Sequence, residues 1–177
     1  YGIHNSKFQI WKFATMKKNS LNIGTGSITL QNDPRVTKIG SILRKTKINE
    51  LPQIINILKG DISLVGPRPN VLNETKLYSD KEKKLLSIKP GITDFASIVF
   101  SDEGEILRDS KDPDLDYNQL IRPGKNYLGL FYVDNSTFLT DVKLCFMTVI
   151  AIFSRSIALR LINRLLIKLE ADENLIK

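Results

Sequence analysis

Cysteine and histidine each occur once in this chain of 177 residues, at Cys145 and His4. One cysteine excludes a disulfide framework and a zinc site made of cysteines, and one histidine argues against a His-dependent triad or a His-rich metal site. Long apolar runs are also missing, because the run at 144–153 has ten residues and contains Thr148, which is too short to cross a bilayer. These absences leave carboxylates and basic side chains as the candidate functional groups.

The length suffices for one hydrophobic core and is short for two domains. We therefore predict a single domain over residues 1–177, with its main motifs in residues 1–100 and amphipathic helices in residues 138–170. A hydrophobic content of 42% and a charged content of 25% argue against disorder. The chain begins with Tyr1 and has no signal-peptide pattern, so we expect a fragment whose N-terminal part is missing.

The net charge of +7 is unevenly distributed. Residues 1–70 contain 11 Lys and Arg against 3 Asp and Glu, residues 71–120 contain 7 against 11, and residues 121–177 contain 8 against 5. A basic surface can bind nucleic acid, anionic lipid or a phosphorylated small molecule. The chain lacks the common nucleic-acid-binding patterns, and its aromatic residues are not interleaved with the basic ones, so we expect no nucleic-acid partner.

Two short helices separated by a bend are predicted in the first third of the chain. Apolar residues with helical spacing occur at 39–43 and again at 51–58, and Gly60 is a good helix-stop residue. Pro52 lies near the start of the second helix and disfavours helical structure at the residue before it. We therefore expect residues 48–50 to lie at the bend.

The other elements are predicted from alternation, turn residues and apolar spacing. They comprise a short strand at 8–13, a loop or hairpin at 19–32, an extended run at 62–65, a charged helix at 74–88, a turn at 89–93, an acidic loop with room for one helical stretch at 101–118, and a long helix at 138–169. In the long helix, Arg160, Arg164 and Lys168 recur every four residues among apolar residues, which is typical of a helix at a membrane interface. The alternative is an ordinary surface helix packed on the core.

Candidate functional side chains concentrate in one block of the N-terminal half. Arg68 lies between Pro67 and Pro69 in a stiff loop that suits bidentate phosphate binding, although such a sequence is also a common structural turn. Glu50 lies at the expected helix start, where it could bind a metal or act as a base, or could only complement the helix dipole. Asn49 has the features of a helix N-cap.

The order of the motifs makes the chain similar to the bacterial sugar transferases, the small monotopic polyprenyl-phosphate phosphoglycosyl transferases. The resemblance is strong over residues 8–100 and looser to about residue 150. It rests on Lys-Phe-Ala-Thr-Met at 12–16, Asp-Pro-Arg-Val-Thr-Lys-Ile-Gly at 33–40, Leu-Arg at 43–44, Glu-Leu-Pro-Gln at 50–53, Asn-Ile-Leu-Lys-Gly-Asp at 56–61, Ser-Leu-Val-Gly-Pro-Arg-Pro at 63–69, Lys-Pro-Gly-Ile-Thr at 89–93 and Phe-Leu-Thr-Asp-Val-Lys at 138–143.

This resemblance implies transfer of a sugar 1-phosphate from a UDP-sugar to undecaprenyl phosphate with release of UMP, the first membrane step of exopolysaccharide, O-antigen or related glycan synthesis. It implies Mg²⁺, the cytoplasmic face of the bacterial inner membrane, and downstream glycosyltransferases as further partners. The implied fold is a mostly helical α+β fold with a small β-hairpin, amphipathic interface helices and a re-entrant membrane helix before Tyr1. In the family, an Asp attacks the sugar-linked phosphate and forms a covalent intermediate that the lipid phosphate resolves.

Carried over by position, Glu50 matches the Glu of the family's catalytic Asp-Glu dyad, and Asn49 occupies the position of the nucleophilic Asp. The remaining site residues can be assigned by role. We predict phosphate binding by Arg44, Arg68, Lys12 and Arg35, nucleotide or loop contacts by Pro67, Pro69, Pro90, Gly91 and Thr93, and metal binding by Glu50, with Asp61 as a second candidate.

Asn49 is a departure from the family, because a carboxamide is a poor nucleophile and a weaker metal ligand than a carboxylate. Glu50 could attack in its place, or Asp61 or Asp33 could fold nearby and supply the missing carboxylate. Alternatively, the chain is a non-catalytic homologue that binds a UDP-sugar or a lipid phosphate. We expect a working enzyme, because the rest of the pattern is intact.

A second departure follows the motif at 89–93. The chain continues with Asp-Phe-Ala-Ser-Ile-Val-Phe at 94–100, where many relatives have Gly-Leu-Ala-Gln-Val followed by an Arg. We therefore expect the sugar or nucleotide preference to differ, and the acidic insert at 101–118 to belong to the same variation.

Overall fold

Helices make up most of the described chain, which comprises residues 1–20, 28–30 and 32–171 of the computed structural model. The α-helices are α1 (Lys38–Lys45), α2 (Gln53–Lys59), α3 (Leu72–Thr75), α4 (Phe95–Val99), α5 (Glu103–Ile106), α6 (Pro113–Asp116), α7 (Arg122–Asn135), α8 (Phe138–Phe153) and α9 (Arg155–Lys168). Short 3-10 turns cover Ile3–Asn5, Ile48–Glu50 and Glu82–Ser87, and a π-helical turn at Tyr117–Ile121 leads into α7. The predicted mostly helical α+β fold is confirmed.

The strands are β1 (Ser63–Val65) and β2 (Gly91–Thr93), which pair in parallel, with Ser63 opposite Gly91 and Val65 opposite Thr93. The predicted turn at 89–93 is wrong, because β2 occupies its second half. The expected β-hairpin stays a prediction, because Met16 and Val36 form an antiparallel bridge and most of the segment 19–32 between them lies outside the described residues. A parallel pair needs a crossover, which the segment with α3 and Glu82–Ser87 provides. The predicted extended run at 62–65 is confirmed as β1.

The two strands meet at an unusually close backbone contact. A Cβ atom added to Gly91 would lie 2.1 Å from the backbone nitrogen of Gly66. Gly66 donates its N–H to Thr93, and Gly91 donates its N–H to Pro67, each across 2.9 Å. The loop that carries Arg68 is therefore fixed to β2 from its first residue.

The strand predicted at 8–13 is wrong, although this segment is held firmly. The side chain of Asn56 on α2 accepts the N–H of Trp11 at 3.0 Å and donates to the carbonyl of Gln9 at 2.7 Å. The N–H of Phe13 donates to the carbonyl of Asn49 at 3.0 Å. An amide side chain thus takes the place of a neighbouring strand, which alternation alone could not predict.

The first two predicted helices and the bend between them are confirmed. Thr37 caps α1 by accepting the N–H of Gly40, and α2 ends at Gly60, which has a left-handed φ of 78°. The 3-10 turn Ile48–Glu50 lies between the helices, as Pro52 predicts. Most of the loop or hairpin expected at 19–32 lies outside the described residues.

Two longer helix predictions are wrong in extent. The helix at 74–88 is divided, because Glu82 accepts hydrogen bonds from the N–H and hydroxyl of Ser79 and so starts a new turn. The helix at 138–169 breaks at Ser154, whose extended backbone (φ −151°) separates α8 from α9. The acidic segment 101–118 contains the short helices α5 and α6.

The main hydrophobic core lies between α4, α7, α8 and α9, with Val65 of β1 at its edge. Phe95 at the start of α4 is fully buried and contacts the rings of Phe131 and Tyr132 edge-on. This core fixes β2 and α4, which lie directly after the loops of the candidate site. In the part of the chain that the structure describes, no helix is both long enough and apolar enough to cross a bilayer.

Candidate active site

The carboxylate of Glu50 is the centre of a cluster of charges. Its side chain is only 12% exposed, and both of its oxygens bind Arg68, at 2.9 Å from Oε1 to Nη2 and at 3.3 Å from Oε2 to Nη1. Lys12 adds a third contact, with Nζ 3.5 Å from Oε1. Arg68 also donates to the carbonyl of Ile92 at 3.1 Å. The site therefore joins the N-terminal segment, the 3-10 turn, the loop after β1 and strand β2.

Local sequence explains why Glu50 points into this cluster. Lys47 adopts a left-handed backbone conformation (φ 60°), which ends the α1 region and starts the turn Ile48–Glu50. Pro52 then precedes α2 and prevents α1 and α2 from joining into one helix. Three residues predicted from the sequence, Lys12, Glu50 and Arg68, are thus brought together by the structure.

Electrostatics keep Glu50 ionised. Burial is the largest single influence and raises the pKa of Glu50, but Arg68, Lys12 and Lys47 together outweigh it and lower the pKa to about 2. Burial in turn lowers the pKa of Lys12 and of Lys47, and Glu50 opposes that effect. Three cations therefore surround one carboxylate, an excess of positive charge that suits a phosphate-bearing ligand.

Asn49 lies in the 3-10 turn beside Glu50. Its backbone carbonyl accepts the N–H of Phe13, while its side-chain Oδ1 is buried and has no hydrogen-bond partner among the described residues. The N-cap interpretation of Asn49 is wrong, because Pro52 occupies the cap position of α2. A buried carbonyl oxygen without a partner is costly and often marks a functional position.

Asp33 and Arg35 form a separate, buried ion pair. Nη2 of Arg35 lies 2.6 Å from Oδ2 of Asp33, and Nε lies 2.9 Å from Oδ1. Arg35 also donates to the carbonyl of Ile28, and Arg44 donates to the hydroxyl of Thr15 at 2.9 Å. The structure does not bring Asp33 into the hydrogen bonds of Glu50, and phosphate binding by Arg35 and Arg44 stays a prediction.

We expect Asp33→Asn to lower the free energy of unfolding by about 3–5 kcal/mol at pH 7, because the change leaves the buried guanidinium of Arg35 without a counter-charge. The hydrogen bond with Arg35 is the main cause that lowers the pKa of Asp33 in the folded protein. The stabilisation is therefore present above the unfolded pKa of about 4 and is lost as the pH falls through the lower folded value. Urea unfolding at several pH values measures both effects.

Asp80→Asn is the matched control, since Asp80 pairs with Lys83 but its side chain is 98% exposed. This control should leave the unfolding midpoint nearly unchanged at every pH. Equal midpoint shifts for the two variants would contradict a stabilising role for the buried pair.

Asp61 belongs to the anchor of the N-terminal segment. It accepts a hydrogen bond from the fully buried Asn56 at 3.0 Å, and Asn56 in turn holds Gln9 and Trp11. Asp61 thus supports the segment that presents Lys12. Metal binding by Asp61 stays a prediction.

The predicted nucleotide and loop residues frame Arg68 on both sides. Pro67, Pro90, Gly91 and Thr93 are buried, and Pro69 is half-buried. Thr93 also exchanges a hydroxyl hydrogen bond with Thr148 of α8 at 2.6 Å, which ties β2 to the core. Their contacts with a nucleotide stay a prediction.

Sequence analysis did not identify three charged residues near this site. Asp94 caps α4 by accepting the N–H and hydroxyl of Ser97, a spacing that the sequence does show. Glu103 forms an ion pair with Lys125 of α7, and the charges of Asp94 and Glu103 both raise the pKa of Arg68. The sequence alone does not show that these acidic charges act on Arg68.

The side chains of the site could hold a metal ion together with the phosphates of a substrate. The described residues contain no group of three or more His, Cys, Asp or Glu side chains placed to bind a metal. A Mg²⁺ ion, however, commonly takes one or two carboxylates together with substrate phosphates and water. Glu50 is ionised at neutral pH and can supply one such ligand.

Comparisons with known proteins agree with these motifs. A family model described as "Bacterial sugar transferase" matches residues 1–155. The chain is 37% identical to the sugar transferase EpsL of Bacillus subtilis (strain 168), over 84% of the chain and 64% of that protein. It is 33% identical to the undecaprenyl-phosphate galactose phosphotransferase of Salmonella typhimurium, over 87% of the chain and 32% of that protein.

A third relative is the UDP-glucose:undecaprenyl-phosphate glucose-1-phosphate transferase of Escherichia coli (strain K12), 42% identical over 55% of the chain and 22% of that protein. The chain thus spans less than two thirds of the length of each of these relatives.

Proposed function

The chain belongs to the bacterial sugar transferase family, and from that membership we propose that it transfers a sugar 1-phosphate from a UDP-sugar to undecaprenyl phosphate and releases UMP. Two relatives whose names describe sugar phosphate transfer with undecaprenyl phosphate support this reaction. The pathway would be exopolysaccharide or a related glycan, as a relative named "Exopolysaccharide production protein ExoY" suggests.

The observation that carries the proposal is the bidentate pair of Glu50 and Arg68 beside Lys12. Arg68 presents two nitrogens at fixed positions and can bind two phosphate oxygens as it binds the two oxygens of Glu50. Lys12 supplies a second positive charge for the diphosphate. Glu50 keeps both cations oriented before the substrate arrives.

These cations act on charge that develops during the reaction. When the bond between the sugar-linked phosphorus and the bridging oxygen of the diphosphate breaks, the oxygen leaves with UMP and negative charge accumulates on it. Fixed positive groups stabilise that charge without reorganising. When bound, Mg²⁺ would neutralise further charge on the diphosphate oxygens, and Glu50 is the residue that would hold it.

Membrane association at the cytoplasmic face is part of the proposal. The outward face of α8 is apolar along its whole length, and its exposed residues are Phe138, Leu139, Val142, Phe146, Val149, Ile152 and Phe153. The neighbouring α9 exposes Arg160, Arg164 and Lys168. An apolar face beside a basic row suits the interface of a membrane that contains anionic lipid.

We expect the protein to bind vesicles that contain phosphatidylglycerol, and the triple variant Arg160→Glu/Arg164→Glu/Lys168→Glu to bind at least about 100-fold less well. Each basic residue near an anionic surface contributes about 1 kcal/mol to the free energy of membrane binding, and a glutamate in its place adds electrostatic repulsion. Flotation of vesicles with and without phosphatidylglycerol measures the effect.

The control variant changes three exposed lysines outside α9 to Glu and so makes the same change in net charge. These lysines are Lys76, Lys81 and Lys111. If both triple variants lost binding equally, net charge rather than α9 would explain the attraction.

The reaction is tested with membranes that contain the full-length gene product, undecaprenyl phosphate, Mg²⁺ and a panel of UDP-sugars labelled in the sugar. We expect label in the lipid extract, UMP in the aqueous phase, and loss of both when EDTA removes Mg²⁺. Binding of a UDP-sugar without any release of UMP would instead support the non-catalytic alternative that Asn49 raises.

A further inference from the structure

Three carboxamide side chains follow one another along the stretch that leads from the 3-10 turn into α2. Asn49, Gln53 and Asn56 are four and three residues apart, the spacing at which side chains are neighbours on a helix. Asn56 is fully buried and its amide is fully used, because it accepts one backbone N–H and donates to a backbone carbonyl and to Asp61. The other two amides each keep one buried polar atom that has no hydrogen-bond partner in the described part of the chain.

These two unpaired atoms are complementary. Oδ1 of Asn49 is a hydrogen-bond acceptor and Nε2 of Gln53 is a donor, and Gln53 is only 2% exposed. Leu51 and Pro52 between them have helical backbone angles, so the two amides lie about one turn apart, where Gln and Asn side chains can hydrogen-bond. An unpaired buried donor or acceptor costs free energy, and a rotation of side-chain torsions that joins the two atoms removes both costs at once.

A hydrogen bond from Gln53 determines which end of the Asn49 amide faces outward. The oxygen and the nitrogen of a carboxamide point in different directions, so an inward Oδ1 leaves Nδ2 on the outer side. Asn49 as a whole is half-buried, and its Oδ1 is buried, which agrees with this orientation. Asn49 held in this way offers N–H donors to a ligand and keeps its acceptor inside.

The outward side of Asn49 borders the basic cluster. Asn49 directly precedes Glu50 in the 3-10 turn, and Oε1 of Glu50 lies 2.9 Å from Nη2 of Arg68 and 3.5 Å from Nζ of Lys12. The turn is also attached to the segment that carries Lys12, because the carbonyl of Asn49 accepts the N–H of Phe13 at 3.0 Å. A neutral donor at this position adds a directional hydrogen bond to the two cations, and a diphosphate has enough oxygens to accept all three.

We propose that Asn49 donates a hydrogen bond from Nδ2 to a diphosphate oxygen of the UDP-sugar, and that Gln53 is the positioning residue that holds Asn49 through a hydrogen bond from Nε2 to Oδ1. The inference rests on the proposed function for the identity of the ligand. The Asn in place of the family's Asp then changes what the side chain offers, because a carboxylate only accepts hydrogen bonds whereas this amide donates them.

Calorimetric binding of UDP to the full-length protein in detergent tests the contact with the diphosphate. UDP carries this group whichever sugar the protein prefers. We expect Asn49→Ala to raise the Kd for UDP by about 10-fold, the scale of one hydrogen bond to a charged group. Asn118→Ala, on the exposed surface, should leave the Kd unchanged. An unchanged Kd in Asn49→Ala would overturn the inference.

Gln53→Met tests the positioning role, since Met has a similar length and no N–H. We expect the Kd for UDP to rise by a similar factor, and the double variant Asn49→Ala/Gln53→Met to bind no more weakly than Asn49→Ala alone, because Gln53 acts only through Asn49. Gln119→Met, at an exposed glutamine, should bind UDP like the parent. Losses that multiply in the double variant would overturn the positioning role of Gln53.

Thermal unfolding without ligand separates this role from a structural one. Nε2 of Gln53 has no hydrogen bond to lose in the free protein, so Gln53→Met should keep or raise the Tm. Asn56→Leu, at the neighbouring buried carboxamide, should lower the Tm, because it leaves the N–H of Trp11 and the carbonyl of Gln9 without their partner. A fall in Tm for Gln53→Met as large as that for Asn56→Leu would also overturn the positioning role.

Failure of this inference and failure of the proposed function give different results. If Asn49→Ala and Gln53→Met bind UDP like a parent that releases UMP, the inference is overturned and the function stands. If the parent shows the predicted UDP binding but releases UMP from no UDP-sugar, the transferase reaction is overturned and the binding role of Asn49 stands. A parent that does not bind UDP would overturn the inference.

Discussion

Arg68→Lys should lower UMP release by at least about 100-fold, although the charge is conserved. Arg68 binds both oxygens of Glu50 and the carbonyl of Ile92 at once, and one ammonium group cannot reproduce that planar arrangement. The variant would stabilise the charge that develops during bond breaking less well. Removal of one such hydrogen-bond donor typically lowers the rate by a factor of about 10²–10³. Initial rates of UMP release at saturating UDP-sugar measure it.

Arg108→Lys is the matched control, because Arg108 contacts Asp109 on the exposed surface and the change again conserves charge. We expect this variant to keep the rate of the parent. If Arg68→Lys also kept it, the bidentate geometry at Glu50 would have no part in catalysis, and positive charge alone would explain phosphate binding.

Gly91→Ala should strongly destabilise the fold around the site. The new Cβ would lie 2.1 Å from the nitrogen of Gly66, a contact with backbone that no side-chain movement relieves. The strands must separate, so we expect a loss of about 3 kcal/mol or more and a fall in Tm of about 6–12 °C. Thermal unfolding followed by circular dichroism measures the change.

Gly60→Ala serves as the control for this prediction. Gly60 has a left-handed φ of 78°, but the nearest atom to an added Cβ is the flexible Nζ of Lys89 at 3.6 Å. The cost should be limited to about 1–2 kcal/mol of backbone strain. A Gly91 variant that unfolded at or above the temperature of the Gly60 variant would show that the close contact of the strands is not required.

Local signals predicted the parts of the fold that depend on neighbouring residues. Pro52 and Gly60 were sufficient to place the bend at 48–50 and the end of α2. The pairing of β1 with β2 was not predictable in this way, because each strand has three residues and the partner is distant in sequence. The segment at 8–13 shows the same limit, since its partner is the side chain of Asn56.

In the candidate site, too, local motifs identified individual residues, whereas their contacts depended on the tertiary fold. Glu50 and Arg68 were identifiable because each lies in an informative local motif, and the resemblance added Lys12. Their mutual contacts required the fold. The sequence also gave no reason to connect the charge of Glu103 with Arg68, since the segment between them contains a crossover and two short helices whose packing only the tertiary structure determines.

Following the β-phosphorus of the UDP-sugar tests the central claim most directly. Membranes containing the full-length protein would be supplied with undecaprenyl phosphate and a UDP-sugar carrying ³²P at the β-position. We predict that the label moves into the lipid extract while unlabelled UMP remains in water, because the sugar is transferred together with its phosphate. Label recovered in water as UDP, with the sugar in the lipid, would contradict phosphoglycosyl transfer and the account of the site built on it.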